Sequence, residues 1–98
     1  MNCCYILYSP NLNRFYIGST REGIETRLEK HNSGFYGKKQ FTAKSSDWKM
    51  FLVLETKDYS HAIRIENYIK KMKSSKYIKN LKKYSEMRLK LYEKTLSS

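Results

Sequence analysis

The sequence has only two cysteines, and Cys3 and Cys4 are neighbours. Adjacent thiols supply neither a disulfide framework nor a set of spaced metal ligands, which excludes structural cysteine chemistry. Long apolar runs are also missing. The longest, Cys3 to Tyr8, spans six residues, against the roughly 20 that a membrane helix needs. It lacks the charged leader of a secretory signal, so the reading is a soluble, cytoplasmic protein with no membrane partner. One proline and four glycines leave no linker long enough to divide the chain, and 98 residues support one core and not two. Acids are scarce. Nine Asp+Glu stand against twenty Lys+Arg, a formal net charge of +11. With 40% hydrophobic residues the chain is too apolar to be an unfolded basic tail. It folds and seeks polyanions.

The positive charge is uneven: residues 1–59 carry nine basic and six acidic side chains, net +3, and residues 60–98 carry eleven and three, net +8. Nine Tyr, four Phe and one Trp are interleaved with these cations. Aromatic faces stack on bases, which favours nucleic acid over a membrane surface as the partner.

Tyr5-Ile6-Leu7-Tyr8 has strand character, breaks at Ser9-Pro10-Asn11-Leu12-Asn13, and resumes at Arg14-Phe15-Tyr16-Ile17-Gly18, the pattern of a β-hairpin. Ile24 and Leu28 repeat at i, i+4 before Gly34, which predicts a helix over about 24–32 with Arg27 and His31 on one face. Residues 33–46 show no period and read as a loop of binding composition, in which Lys38 and Lys39 are candidate nucleic-acid contacts. Met50 to Leu54 is a short continuous apolar run, expected to form a third strand covered on both faces. Ser60 is the expected cap of a helix whose Ala62, Ile65, Ile69 and Met72 form one apolar stripe. Two further helical segments run to about Lys83 and Lys94 and carry Ile78, Leu81, Leu89 and Leu91. The fold class is therefore α+β. A three-stranded antiparallel sheet over residues 3–9, 14–19 and 48–56 is flanked by helices, with a basic C-terminal helical extension. Residues 1–83 form the domain proper, and 84–98 a helix packed on or extending from it.

Tyr5 and Tyr16 fall on the two arms of the hairpin and can share a face, an arrangement that ordinarily serves packing. Gly18 weakens a strand unless something approaches closely. Arg27 and His31, one helical turn apart, combine a phosphate-gripping guanidinium with a proton-handling imidazole. Glu66 is the only acid between Asp58 and Glu86 and falls at the flank of the apolar stripe. Either it pairs with Lys70 at i, i+4, or it holds a divalent cation together with substrate phosphate oxygens.

Taken in order, Tyr5, then Tyr16-Ile17-Gly18, then Arg27 and His31, then Glu66, the sequence resembles the GIY-YIG nuclease superfamily over about residues 3–80, most of all its small stand-alone bacterial members. Cys3-Cys4-Tyr5 stands where Gly-Ile-Tyr is usual, keeping the tyrosine. The resemblance implies a metal-dependent DNA endonuclease, structure-selective or weakly sequence-selective, working in DNA repair or recombination on duplex or branched DNA. Glu66 would hold one Mg²⁺ or Mn²⁺ ion, Arg27 a phosphate oxygen, Tyr5 and Tyr16 would orient or deprotonate water, and His31 would relay or stabilise a proton. The family's downstream asparagine has Asn80 as its candidate, with Asn67, or no asparagine at all, as the alternatives. Lys70, Lys71, Lys73 and Asn80 join Lys38 and Lys39 as expected DNA contacts. A monomer or weak homodimer is expected, with room for a further protein partner. The rival reading is a catalytically silent nucleic-acid-binding module on the same fold. The catalytic reading asks Tyr5, Tyr16, Arg27, His31 and Glu66 to converge on one concave face, and counts Glu66 across the sheet from Tyr16 as fatal.

Overall fold

The computed structural model describes residues 1–35, 37 and 41–96. Lys38 and Lys39 lie outside the described residues. Three strands, β1 (Cys3–Ser9), β2 (Arg14–Thr20) and β3 (Lys49–Glu55), form an antiparallel sheet in the order β2-β1-β3. Four helices accompany it: α1 (Ile24–Ser33), α2 (Tyr59–Met72), α3 (Ser75–Lys83) and α4 (Ser85–Thr95), together with a 3₁₀ turn at Phe41–Lys44. The fold is α+β, as the alternation of strand and helix patterns implies. No helix among the described residues is long and apolar enough to cross a membrane.

The strand buried on both faces is β1 and not β3. Cys3 through Leu7 are all fully buried, because β1 has a hydrogen-bonded neighbour on each side. The apolar run of β3 lies at an edge with Met50 to Val53 only half-buried. Continuous apolarity reports cover above and below a strand and says nothing about who sits beside it.

Pleating divides the sheet into two faces. On one, Cys4, Ile6 and Leu54 pack with Ile65 and Ile69 of α2, Ile78 and Leu81 of α3, and Leu91 of α4. On the other, Cys3, Tyr5 and Leu7 pack with Trp48, and Tyr16, Ile24 and Leu28 close over them. The helices α1 and α2 thus cover opposite faces.

Three local expectations change. The cap of α2 is Asp58: its carboxylate accepts the His61 N–H at 2.8 Å and the Ser60 hydroxyl at 2.9 Å. Those bonds hold its pKa below the usual carboxylate range. The backbone of Asp58 is extended, as a cap requires, whereas Ser60 is already helical. Met72 leaves the apolar stripe and is 43% exposed, and Leu89 is 62% exposed. The helix α4 docks through Leu91, through the Tyr92 hydroxyl donating to the Glu55 carbonyl at 2.7 Å, and through Arg88, which donates to the Leu81 and Lys82 carbonyls at the end of α3.

Candidate active site

The site begins with register. Tyr5 pairs with Gly18 and Leu7 with Tyr16, so the two phenols are diagonal neighbours on one face with ring centroids 6.3 Å apart. Gly18 is needed here: a Cβ on it would lie 2.6 Å from Tyr5 Oη and 3.1 Å from the Tyr16 ring. The close approach that would justify a strand glycine is the tyrosine itself.

The helix α1 crosses this face and ends at Gly34, which adopts a left-handed φ of 75° that glycine alone takes without strain. One turn of α1 delivers both expected groups. Arg27 donates from Nη2 at 3.2 Å and from Nε at 3.4 Å to Tyr5 Oη. His31, 1% exposed, shares a 2.9 Å hydrogen bond between Nε2 and the same oxygen. Its ring centroid is 4.8 Å from that of Tyr16. The other ring nitrogen, Nδ1, meets Thr42 Oγ1 at 2.8 Å. Burial first, and then the Arg27 charge, lowers the His31 pKa to about 4, so the imidazole is neutral at pH 7. Thr42 is fixed in turn by Trp48, whose indole N–H donates to the Thr42 carbonyl at 2.8 Å. The Asn32 side chain clamps Trp48, accepting its N–H at 2.7 Å and donating to its carbonyl at 3.0 Å.

Thr42 and Asn32 are not visible as site residues in the sequence. Thr42 sits in a stretch with no period, and Asn32 looks like an ordinary helix-end polar residue. Glu22 carries no sequence signal either: its Oε1 accepts from Lys30 at 3.1 Å and lies 3.9 Å from Arg27 Nη1, placing a carboxylate behind the guanidinium.

Glu66 is elsewhere. It belongs to α2, on the face opposite Tyr5 and Tyr16, where Ser19 Oγ donates to Oε1 at 2.6 Å and Lys70 Nζ to Oε2 at 2.5 Å. Ser19 is a further residue that sequence reasoning misses, because a serine at a strand end carries no distinguishing signal. The expectation that all five residues share one face is corrected: four converge and Glu66 does not. That placement takes Glu66 off the Tyr5 face, and what links it to the edge is its bond to Ser19 at the end of β2. The strand β2 is at the edge, and a side chain on α2 reaches its end without passing through the sheet. A cleft of about 320 Å³ wraps that edge, lined by Ser19, Thr20, Arg21, Glu22, Arg27 and Tyr59. It takes Arg27 from the phenol side and Ser19, the Glu66 partner, from the other. Asn80 lies on α3, which packs on the face away from Tyr5, and its carbonyl accepts the Tyr84 N–H at 2.8 Å.

The cysteines in place of the usual Gly-Ile are both fully buried, and burial pushes both thiols up. They remain protonated and behave as small apolar fillers beneath the site.

A family model described as the GIY-YIG catalytic domain matches residues 1–85. The chain belongs to the GIY-YIG family, whose members are in general endonucleases and typically depend on a divalent metal ion. No curated protein and no solved structure compared with the chain gave a match.

Proposed function

We propose that the protein is a divalent-metal-dependent endonuclease acting on DNA, structure-selective or only weakly sequence-selective. One observation carries the reading: a buried phenol oxygen, Tyr5 Oη, is held at once by the Arg27 guanidinium and the neutral His31 imidazole, with Tyr16 beside it. A phenol, with an ordinary pKa near 10, is a poor base at neutral pH unless its surroundings favour the anion. Guanidinium donors, and an imidazole N–H donating to the same oxygen, are groups that stabilise a phenolate. Tyr5 is the base in this scheme: as the phenolate it takes the proton of the attacking water, while His31, whose pKa near 4 keeps it from taking up a second proton, stays neutral. With the proton on Nε2, Nδ1 accepts from the Thr42 hydroxyl. Arg27, lining the edge cleft, meets the non-bridging oxygen where charge accumulates. Tyr16 orients the water from the adjacent position.

Among the described residues no group of three His, Cys, Asp or Glu side chains stands together to hold a metal ion. One carboxylate with substrate phosphate oxygens and waters is the donor set that Mg²⁺ or Mn²⁺ accepts, and Glu66 fits it. Its side chain is 15% exposed and already neutralised by the ammonium of Lys70, itself 50% exposed and able to swing away. When bound, such an ion would offset charge on the scissile phosphate and the leaving oxygen.

The silent-module reading draws on the same contact, because a carboxylate saturated by Ser19 and Lys70 is also what an ion pair without a metal role looks like. Incubating the purified protein with labelled branched and linear DNA, with Mg²⁺, with Mn²⁺ and with chelator, decides between them. Metal-dependent cleavage supports the nuclease, and binding without cleavage in any metal supports the silent module. The helix α4 is proposed to belong to the same domain, on which it packs through Leu91 and Tyr92.

A further inference from the structure

A hollow of about 600 Å³ lies away from the Tyr5 site. It lies on the opposite face, between the start of β2 and the junction of α2 with α3. Its floor is apolar, with Phe15 and Ile17 facing Ile69, and its rim carries Arg14, Lys70 and Lys73 with no acidic residue among the lining side chains. Its volume is in the range of small-ligand sites. An apolar floor with an aromatic ring, under a rim on which Arg14 and Lys73 stand among the small polar side chains Asn13, Ser74 and Ser75, suits a flat heteroaromatic base joined to a phosphate.

A second feature points the same way. Lys73 ends α2 in the left-handed conformation at φ 48°, where glycine is the usual residue and a side chain is strained. What the lysine adds over glycine is an ammonium at the rim of this cleft.

We propose that this cleft binds an unpaired nucleotide of the DNA substrate, the base against Phe15 and Ile17 and its phosphate on Arg14 and Lys73. The inference rests on the nuclease reading for its choice of DNA, and names the substrate class as DNA with an unpaired segment near the cut. A paired base in an intact duplex cannot enter. From Arg14 to Ser19 the edge strand spans roughly 17 Å at about 3.4 Å per residue. The unpaired nucleotide therefore lies a few nucleotides from the phosphate at the edge cleft. Lys70, shared between this rim and Glu66, sits between the two places.

The test is binding in chelator, which does not depend on catalysis. Fluorescence anisotropy with a short oligodeoxythymidine and with a blunt duplex of the same length is measured for the wild type, Phe15→Ala, Arg14→Ala and Lys73→Gly. Phe15→Ala should weaken single-strand binding by about tenfold, the scale of one missing base stack, with little change on the duplex. Because Phe15 also packs against Phe51, Lys73→Gly is the variant that keeps the proposal falsifiable. It should hold or raise Tm while weakening the single strand more than the duplex. Equal losses on both DNAs, or no loss on the single strand, overturn the cleft and leave the nuclease reading standing. Absence of metal-dependent cleavage with the selective loss intact overturns the nuclease reading and leaves the cleft.

Discussion

Gly18 stands directly across the hairpin from Tyr5, and the room its missing side chain leaves is occupied by the tyrosine's own hydroxyl end, 2.6 Å from where a Cβ would be. The glycine and the phenol are one feature, the first making the second possible.

Gly18→Ala should therefore act on the site before it acts on the fold. The displaced atoms belong to a fully buried ring whose oxygen is bonded to His31 and Arg27, so the ring has little room to yield. Overpacking of this kind costs about 1–3 kcal/mol. A lowered Tm in thermal denaturation, with cleavage falling further than the folded fraction, is the expected outcome. Full activity at unchanged Tm would show that the contact is soft.

Glu66→Gln keeps the shape that accepts the Ser19 hydroxyl and removes the charge a hard cation needs. Metal-dependent cleavage should drop by about 10²–10³-fold or more, while DNA affinity in chelator holds or rises. The pairing with half-exposed Lys70 that the substitution removes is worth only a few tenths of a kcal/mol. Cleavage near the wild-type rate would remove Glu66 from the site.

The pH dependence of stability should carry the mark of His31, whose folded pKa is lowered to about 4 from an ordinary 6.5. Above pH 6.5 neither state binds the proton and the contribution of His31 is complete. Between 6.5 and 4 the unfolded chain takes up a proton that the folded one refuses, so stability falls as the pH falls. Tm measured across that window should decline in the wild type and decline less in His31→Gln. Equal slopes would contradict the buried, neutral imidazole.

Replacing Lys70, Lys71 and Lys73 together by Ala should weaken binding to branched DNAs of different sequence alike. It should also reduce the slope of log affinity against log salt by roughly 0.7–0.9 for each phosphate that the variant no longer neutralises. An unchanged slope, or a weakening confined to one sequence, would mean that these lysines do not face the backbone.

Much of this architecture is legible in the chain alone, because strand alternation, helical spacing and turn residues are local properties. The hairpin, the helix carrying Arg27 and His31 at i, i+4, and the third strand follow from neighbours a few residues apart. The pairing of Tyr5 with Tyr16 follows from hairpin length. Other features depend on which elements lie side by side, and no local pattern encodes that. Because β1 became central and β2 an edge, the apolar β3 was left half-buried and α2 was placed across the sheet from α1. Glu66 consequently lies across the sheet from Tyr5, bonded to Ser19 at the end of the edge strand. Thr42 and Ser19 acquire roles only because tertiary packing brings them within hydrogen-bond distance of His31 and Glu66. The sequence determined the chemistry available, and the order of strands decided where each group could act, since side-chain identity is fixed residue by residue while burial and proximity depend on the whole chain.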